Sequence, residues 1–322
     1  MEDKMISKKR QHYVPKRYLK YWLTNRGSNS GSIKAGFWVY PVDKSRKVRF
    51  CTDMNSVSQM RYFHKIRIDQ DVYDILTFKY KGNELLINQL MRFLPLKIFN
   101  DLNCTEKWKH VDISVLEINY LENMYEHLEG QLYSEIDLIN ADFKKYINDL
   151  ISGSSDCDIT KLIGLFCVQC FRTKKMKDCL SGSIKNVQFY RGEVKVELNE
   201  EQLECFLKVV MYIEALRLAS DISKREYSIE ILLAHRNDHF ITSNSPAVIL
   251  DKGSGNESDM VLDKFVGYIA ISPLLALNIR GFQLVKNKTL LTTWLGEGEA
   301  DLYNQIVRDQ ADDEIYSSVE LV

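Results

Sequence analysis

The chain has 322 residues, of which 45% are hydrophobic and 27% are charged, and its formal net charge is −1. This is an ordinary globular composition that can supply a sizeable core. No run reaches the roughly eighteen apolar residues of a membrane span, and the polar, basic start lacks the apolar segment of a secretory signal. Seven cysteines at irregular spacing fit a reducing compartment. The sequence therefore predicts a cytoplasmic protein without a membrane partner.

Charge is distributed unevenly along the chain. Residues 1–50 hold thirteen Lys or Arg and three Asp or Glu, a net charge of +10, so the remainder carries −11. Eight acidic residues and one arginine follow Gly296. We predict one large domain over 1–322, with a basic N-terminal arm (1–26) and an acidic C-terminal tail (297–322). Two interpretations stay open: an anion-binding face, or a basic front that packs beside the acidic remainder.

The first half of the chain begins with strand patterns and continues with helical ones. Aromatic and β-branched residues predict strands at Phe37–Tyr40, Lys47–Cys51 and Met60–His64. Apolar residues at three-and-four spacing predict helices through most of residues 68–180. The longest amphipathic stripe covers Ser114–Ile147. A further helix, from Ile159 to about Asp178, is apolar around most of its circumference and should be central and buried.

The second half mixes the two patterns. Asn199 and Gln202 form a capping box for a helix from Glu200 to about Ser220. The other predicted elements are a hairpin over Asn186–Leu198, strands at Glu226–Ala234, His239–Leu250, Phe265–Ile271 and Ala276–Leu284, and a last helix at Ala300–Gln310. The fold class is therefore α+β, with small antiparallel sheet elements from both chain ends packed on a mostly helical middle.

The common local catalytic motifs are absent. No P-loop, dinucleotide-binding glycine motif, zincin HExxH or nucleophile elbow occurs. Cys167 and Cys170 form a CxxC, but no second ligand pair follows, so we interpret them as free thiols. The sequence leaves the cofactor unknown: a divalent metal is compatible with it, but no metal motif is recognisable.

Three glutamates share one surface of the long amphipathic helix. Glu122, Glu126 and Glu129 are three and four residues apart, so two of them could hold a metal or act as acid and base. A solvated acidic face is the favoured interpretation. Glu129 is the best catalytic candidate because it adjoins the apolar stripe.

Two polar side chains interrupt the apolar helix that begins at Ile159. Gln169 and Arg172 are three residues apart, and a guanidinium is costly to bury without an anionic partner. Its planar fork suits phosphate or carboxylate. An internal ion pair with an acidic helix and a functional anion site are both consistent with Arg172.

The segment from Arg10 to Trp22 mixes cations with aromatic rings. Stacking on rings combined with phosphate contacts is how single-stranded nucleic acids are commonly held. An N-terminal segment that packs its aromatic residues on the domain explains the same residues. In either case we expect residues 8–20 to be folded against the body, because Val14, Pro15, Tyr18 and Leu19 can anchor them.

Several short motifs, in order, resemble a mainly bacterial family known as domain of unknown function 4238. They are Gln11-His-Tyr-Val-Pro15, Trp38-Val-Tyr40, Gln169-Cys-Phe-Arg-Thr173, Phe240-Ile-Thr-Ser-Asn-Ser-Pro246 and Ile271-Ser-Pro273. The resemblance covers about residues 10–285. It implies no established activity, although the family's contexts suggest conflict or phage-defence functions.

One motif departs from the pattern that the resemblance implies. The family usually has Asp where this chain has Asn244. A metal ligand or general base at that position would be impaired by the change, whereas a residue that caps a turn would not, because Asn and Asp both bond to nearby backbone. The departure therefore favours a structural or hydrogen-bonding role for Asn244.

The leading hypothesis is a nuclease-like hydrolase that acts on RNA or DNA through the basic N-terminal region. His12 would be general acid or base, Arg172 would stabilise phosphate charge, Gln169 would orient it, and Glu129 would be a further carboxylate. The binding residues would be Tyr13, Thr242, Ser243 and Asn244. His12, Arg172 and the Thr242–Asn244 turn would then meet in one polar pocket. The alternative is a non-catalytic sensor or regulatory module that binds nucleic acid or protein.

Overall fold

A computed structural model of the chain has about 51% helix and 22% strand, which confirms the α+β class. It describes residues 7–27, 33–101, 113–152, 157–184, 188–191, 194–225, 227–250, 266–281 and 289–321. No helix in these ranges is long and apolar enough to cross a membrane. Parts of the predicted hairpin and of the predicted strands at Glu226 and Leu284 lie outside the described residues.

The helices occupy mainly the middle of the chain. They are α1 (Lys16–Leu19), α2 (Gln70–Lys79), α3 (Glu84–Met91), α4 (Leu94–Asp101), α5 (Ile113–Ala141), α6 (Phe143–Ile151), α7 (Thr160–Phe171), α8 (Lys174–Ile184), α9 (Glu200–Lys224) and α10 (Ala300–Gln310).

The strands come from both ends of the chain. They are β1 (Arg10–His12), β2 (Thr24–Gly27), β3 (Ile33–Pro41), β4 (Arg49–Cys51), β5 (Gln59–Arg61), β6 (Phe189–Arg191), β7 (Val194–Val196), β8 (Tyr227–Leu233), β9 (Thr242–Ser243), β10 (Ala247–Ile249), β11 (Val266–Ser272), β12 (Leu275–Gly281), β13 (Thr289–Trp294) and β14 (Glu314–Ser317).

Helix α7 lies at the centre of the helical layer, as its sequence predicts. It packs against α9 on one side and α5 on the other. Ile163, Phe166 and Cys167 are fully buried. Gly164 allows the close approach to α5, because a Cβ atom there would lie 2.9 Å from Leu132 Cδ2. This contact brings the end of α7 against the middle of α5.

The predicted helix from Ile159 to Asp178 is two helices, because the chain leaves the helical path at Arg172. The Thr173 hydroxyl donates to the Cys170 carbonyl and accepts from the Met176 amide, at 3.3 and 3.2 Å. A threonine side chain that replaces backbone partners in this way ends one helix and begins the next. Arg172 therefore projects from the end of α7 rather than from its side.

The larger C-terminal sheet has the strand order β10-β11-β12-β8-β13. Its pairs are antiparallel except for β13, which pairs with β8 in parallel. The second sheet has the order β2-β3-β14-β9, with β4 also paired to β3. Strand β14 therefore lies between the N-terminal strand β3 and the later strand β9, and both chain ends contribute to one sheet.

The basic N-terminal segment is folded against the body, which confirms the prediction for residues 8–20. Strand β1 pairs with β5 in a two-stranded antiparallel ribbon. Val14, Tyr18, Leu19 and Trp22 are fully buried. Strand β5 begins one residue earlier than the predicted strand and ends at Arg61 instead of His64. The ribbon places His12 beside the helices α5 and α7.

Candidate functional site

Arg172 is fully buried at the C-terminal end of α7, and all three nitrogens of its guanidinium contact protein groups. Nη1 bonds to Glu129, and Nη2 donates to Glu122 Oε2 at 3.1 Å and to the main-chain oxygen of His12 at 2.8 Å. Nε faces His64 Nε2 at 3.3 Å, and the ring centroid of Tyr125 lies 4.7 Å from Cζ. The internal ion pair, one of the two interpretations of Arg172, is therefore present.

Two of the three glutamates predicted to share a surface of α5 are buried against this arginine. Glu122 and Glu129 are 7% and 6% exposed, so the predicted solvated face is wrong for them. Glu126 lies at the surface and pairs with Lys8 at 2.5 Å. Burial raises the pKa of Glu129 to about 7, although Arg172 lowers it. Burial also raises the pKa of Glu122. At neutral pH the cluster can therefore hold or release a proton.

His64 and Gln11 fix the other side of the cluster. Gln11 is buried, accepts from the His64 amide at 2.6 Å and donates to the Ile118 carbonyl of α5 at 2.5 Å. The His64 ring lies 3.2 Å from Glu122 Oε2. Burial and the charge of Arg172 hold the pKa of His64 well below its usual value, so this ring is uncharged. Gln11 thus connects the β1–β5 ribbon to α5.

His12 is 6% exposed and touches Arg172 through its carbonyl oxygen. Burial lowers the pKa of the imidazole to about 4, helped by the positive charges of Lys16 and Arg172. Nδ1 is buried and has no hydrogen-bond partner among the described residues. A backbone hydrogen bond with Val57 and the charge of Asp53 act in the opposite direction on the pKa of this imidazole.

His12, Arg172 and Glu129 meet at the floor of a cleft of about 460 Å³. Glu122 and Glu126 also line it. The cleft is also lined by four cations, which we call the rim: Lys8, Arg10, Lys16 and Arg17. The cleft therefore has buried carboxyl and imidazole groups at its floor, and its lining also includes the four rim cations and Glu126.

The rim cations differ in how far they are neutralised. Lys8 pairs with Glu126, and Arg17 bonds to Asp137 at 2.5 Å. Arg10 and Lys16 are exposed and form no ion pair with any residue that the structure describes. Both lie close enough to the exposed Asp53 for their charges to act on its carboxylate.

The Thr242–Asn244 turn lies apart from this cleft, so the predicted shared pocket is only partly formed. Thr242 bonds to the Tyr18 hydroxyl at 2.7 Å, and Ser243 bonds to the backbone of Ser245. Asn244 Oδ1 accepts from three consecutive amides, residues 312–314, at 3.1–3.3 Å. Thr242 thus connects β9 to α1, and Asn244 connects it to the segment that enters β14. The hydrogen-bonding role predicted for Asn244 is the one observed.

The two remaining predicted residues also lie outside the cleft lining. Gln169 is fully buried and donates to the Tyr133 hydroxyl at 3.1 Å, and it has no hydrogen bond to Arg172 among those described. Tyr13 is buried, its ring lies against Phe63, and its phenol lies beside Asn244. Both positions connect elements of the core rather than face a ligand.

The sequence indicated each residue at the floor of the cleft as a candidate, but it did not indicate that Glu122 and Glu129 share Arg172 as a partner. Glu122 and Glu129 are seven residues apart, which places them two turns apart on the same face of α5. That spacing could have indicated a shared partner. His64 carried no signal, because its role depends on the ribbon that brings it to Arg172.

A comparison with family models matches residues 10–320 to "Protein of unknown function (DUF4238)". The chain belongs to this family. The resemblance carried by the short motifs is thereby confirmed over nearly the whole chain. No curated protein and no solved structure matched the chain. Among the described residues, no group of three or more His, Cys, Asp or Glu side chains is placed to hold a metal ion.

Proposed function

We propose that this DUF4238 protein hydrolyses phosphodiester bonds of single-stranded RNA or DNA in the cleft below the basic rim. The observation that supports the proposal is that exposed rim cations, a buried imidazole and a buried carboxyl group with a pKa of about 7 lie in one cleft. Phosphate contacts at the rim would position the substrate. The buried groups below would then exchange protons with it.

The proposed reaction uses His12 and Glu129 as a base and acid pair. With its pKa at about 4, His12 is uncharged at neutral pH and can take a proton from the attacking water. The water oxygen bonds to phosphorus while the bond from phosphorus to the leaving sugar oxygen breaks. Protonated Glu129 supplies the proton for that leaving oxygen. Proton exchange with solvent then restores both groups.

Arg172 has a positioning role in this proposal. Its charge is already balanced by Glu122 and its Nη1 is engaged by Glu129, so phosphate binding is assigned to Arg10 and Lys16 instead. By holding Glu129 and the His12 carbonyl together, Arg172 fixes the spacing of the acid and the base. This changes the role that the sequence suggested for Arg172.

A second candidate is a non-catalytic module that binds nucleic acid or protein. The observation that favours it is the closed ion-pair network around Arg172, since a self-satisfied cluster can simply stabilise a fold. In that case the rim would bind a ligand without any chemical change. The cytoplasmic location and the role in phage defence stay predictions.

The test is cleavage of labelled single-stranded RNA and DNA oligonucleotides by the purified chain, with and without added divalent metal. We expect the wild type to cleave at least one substrate, and His12→Ala and Glu129→Gln each to lower kcat about 10²-fold or more. His127→Ala is the matched control, because His127 is an exposed histidine of the same region.

Thermal unfolding of each variant separates loss of chemistry from loss of fold. Cleavage that His12→Ala and His127→Ala reduce equally would contradict the assignment of the cleft. Tight binding of the oligonucleotides without cleavage by the wild type would favour the binding module.

A further inference from the structure

We infer that the nucleic-acid strand does not end in the cleft but continues over the β1–β5 ribbon into a second basic cleft. This inference rests on the proposed function for its substrate class and adds the path of the substrate. The second cleft has a volume of about 210 Å³. It is lined by Arg61, Tyr62, Lys65, Arg67, Glu201, Glu204, Cys205 and Lys208.

The connection between the two clefts is a pair of arginines on the ribbon. Arg10 lines the first cleft and Arg61 the second, and they are directly opposite each other in the β1–β5 register. Both side chains are exposed, and neither forms an ion pair with a described residue. Like charges directly opposite each other destabilise a two-stranded ribbon. A bound anion between them would remove that repulsion.

The cations of the second cleft are only weakly neutralised at its surface. Lys65 and Arg67 contact Glu201 and Glu117 at 3.7 Å, which is long for an ion pair. Lys208 is buried and fully engaged, since it contacts Glu204 at 3.1 Å and the Lys65 carbonyl at 2.9 Å. Arg61, Lys65 and Arg67 are therefore the residues that can meet phosphates.

Tyr62 adds a ring at the point where the strand would cross. It has a φ of 57°, a left-handed conformation that non-glycine residues seldom adopt, and it directly follows Arg61. Its side chain is 37% exposed. A bulky residue kept in a strained backbone conformation at the surface is typical of functional positions. An exposed ring beside arginines is what stacks on a base in single-strand binding.

These features favour single-stranded nucleic acid over an acidic protein. An acidic peptide would use the cations but would gain little from an exposed ring. Phosphates spaced along a chain match cations distributed across two clefts, and the bases between them match the ring. Tyr62 is therefore the residue that discriminates between the two partners.

The experiment measures binding of labelled single-stranded RNA and DNA of 4 and 16 nucleotides by fluorescence anisotropy, at several salt concentrations. For the 16-mer we expect Arg61→Ala to raise the Kd several-fold and to lower the salt slope by about 0.7, the value for one phosphate. Tyr62→Gly relieves the backbone strain, so its stability should not fall, yet its Kd should rise about tenfold. Both substitutions should raise the Kd for the 4-mer less than the Kd for the 16-mer.

Arg236→Ala is the control, because Arg236 is an exposed arginine in a turn outside both clefts. This variant should bind the 16-mer as the wild type does.

Unchanged 16-mer binding by both Arg61→Ala and Tyr62→Gly would overturn the inference. A polyglutamate competitor that binds as tightly as the 16-mer, without dependence on Tyr62, would also overturn it. Cleavage of a dinucleotide reports on the first cleft alone. Weakened 16-mer binding without any cleavage would support this path while contradicting the proposed hydrolysis, so the two failures are distinguishable.

Discussion

Arg172 is the residue on which the geometry of the candidate site depends. It is 2% exposed and is the shared partner of two buried carboxylates. Removing one partner of a buried ion pair leaves uncompensated charge in the interior. We therefore expect Arg172→Met to lower the free energy of unfolding by about 3–5 kcal/mol, measured by urea denaturation.

Arg17→Met provides the comparison for this prediction. Its ion pair with Asp137 is exposed to solvent, so the loss should be no more than about 1 kcal/mol. Adding Glu129→Gln to Arg172→Met should recover part of the stability, because it removes one of the unpaired carboxylates. A loss at Arg172 no larger than that at Arg17 would contradict the network.

Asn244 holds the segment before β14 through its side-chain oxygen. Its side-chain oxygen accepts from the amides of residues 312–314, and buried donors left without an acceptor cost about 1–3 kcal/mol. We expect Asn244→Ala to lower the free energy of unfolding by about 2 kcal/mol, and Asn244→Asp, which keeps the acceptor, to stay within about 1 kcal/mol of the wild type. Chemical denaturation of the two variants side by side measures this. If Asp destabilises as much as Ala, the acceptor role is wrong.

The packing of α7 on α5 is the contact between elements that places Arg172 beside Glu129. A methyl group at Gly164 would lie against the buried side chain of Leu132. Such crowding costs about 1–3 kcal/mol, and the loss of a helical glycine returns about 1 kcal/mol, so we expect Gly164→Ala to lower the free energy of unfolding by about 1 kcal/mol. Gly182 is a helical glycine of α8, and a methyl group added there would have nothing within 4 Å of it, so Gly182→Ala should raise stability by about 0.5–1 kcal/mol. Urea unfolding of both variants measures whether the free energy of unfolding falls for Gly164→Ala and rises for Gly182→Ala. A rise for both variants would mean that α7 and α5 are not closely packed at Gly164.

Local signals explain which elements could be predicted from the sequence. The capping box of Asn199 and Gln202 is present at the start of α9, and α10 has its predicted bounds, because caps and amphipathic spacing are encoded within each segment. Strands β13 and β14 were not predicted. A four-residue strand such as Glu314–Ser317 is defined by its partners, and these lie at residues 38–41 and 242–243.

The described parts of both charged ends of the chain belong to the fold. The N-terminal segment forms β1 and supplies His12, Arg10 and Lys16 to the cleft. The last residues form α10 and the internal strand β14. The single-domain boundaries stay a prediction. The sequence indicated that His12 and Arg172 should converge, but not that the Thr242–Asn244 turn would lie elsewhere, since that depends on the strand pairing of distant segments.

The pH dependence of kcat/KM for oligonucleotide cleavage measures whether His12 and Glu129 act as the base and the acid. The proposed reaction needs His12 without its proton and Glu129 with its proton, so activity should rise through about pH 4 and fall through about pH 7. Glu129→Gln should cleave slowly and lose the fall near pH 7. Absence of cleavage at every pH would contradict the proposed hydrolysis. A Glu129→Gln variant with the pH profile of the wild type would contradict the role of Glu129 as the acid.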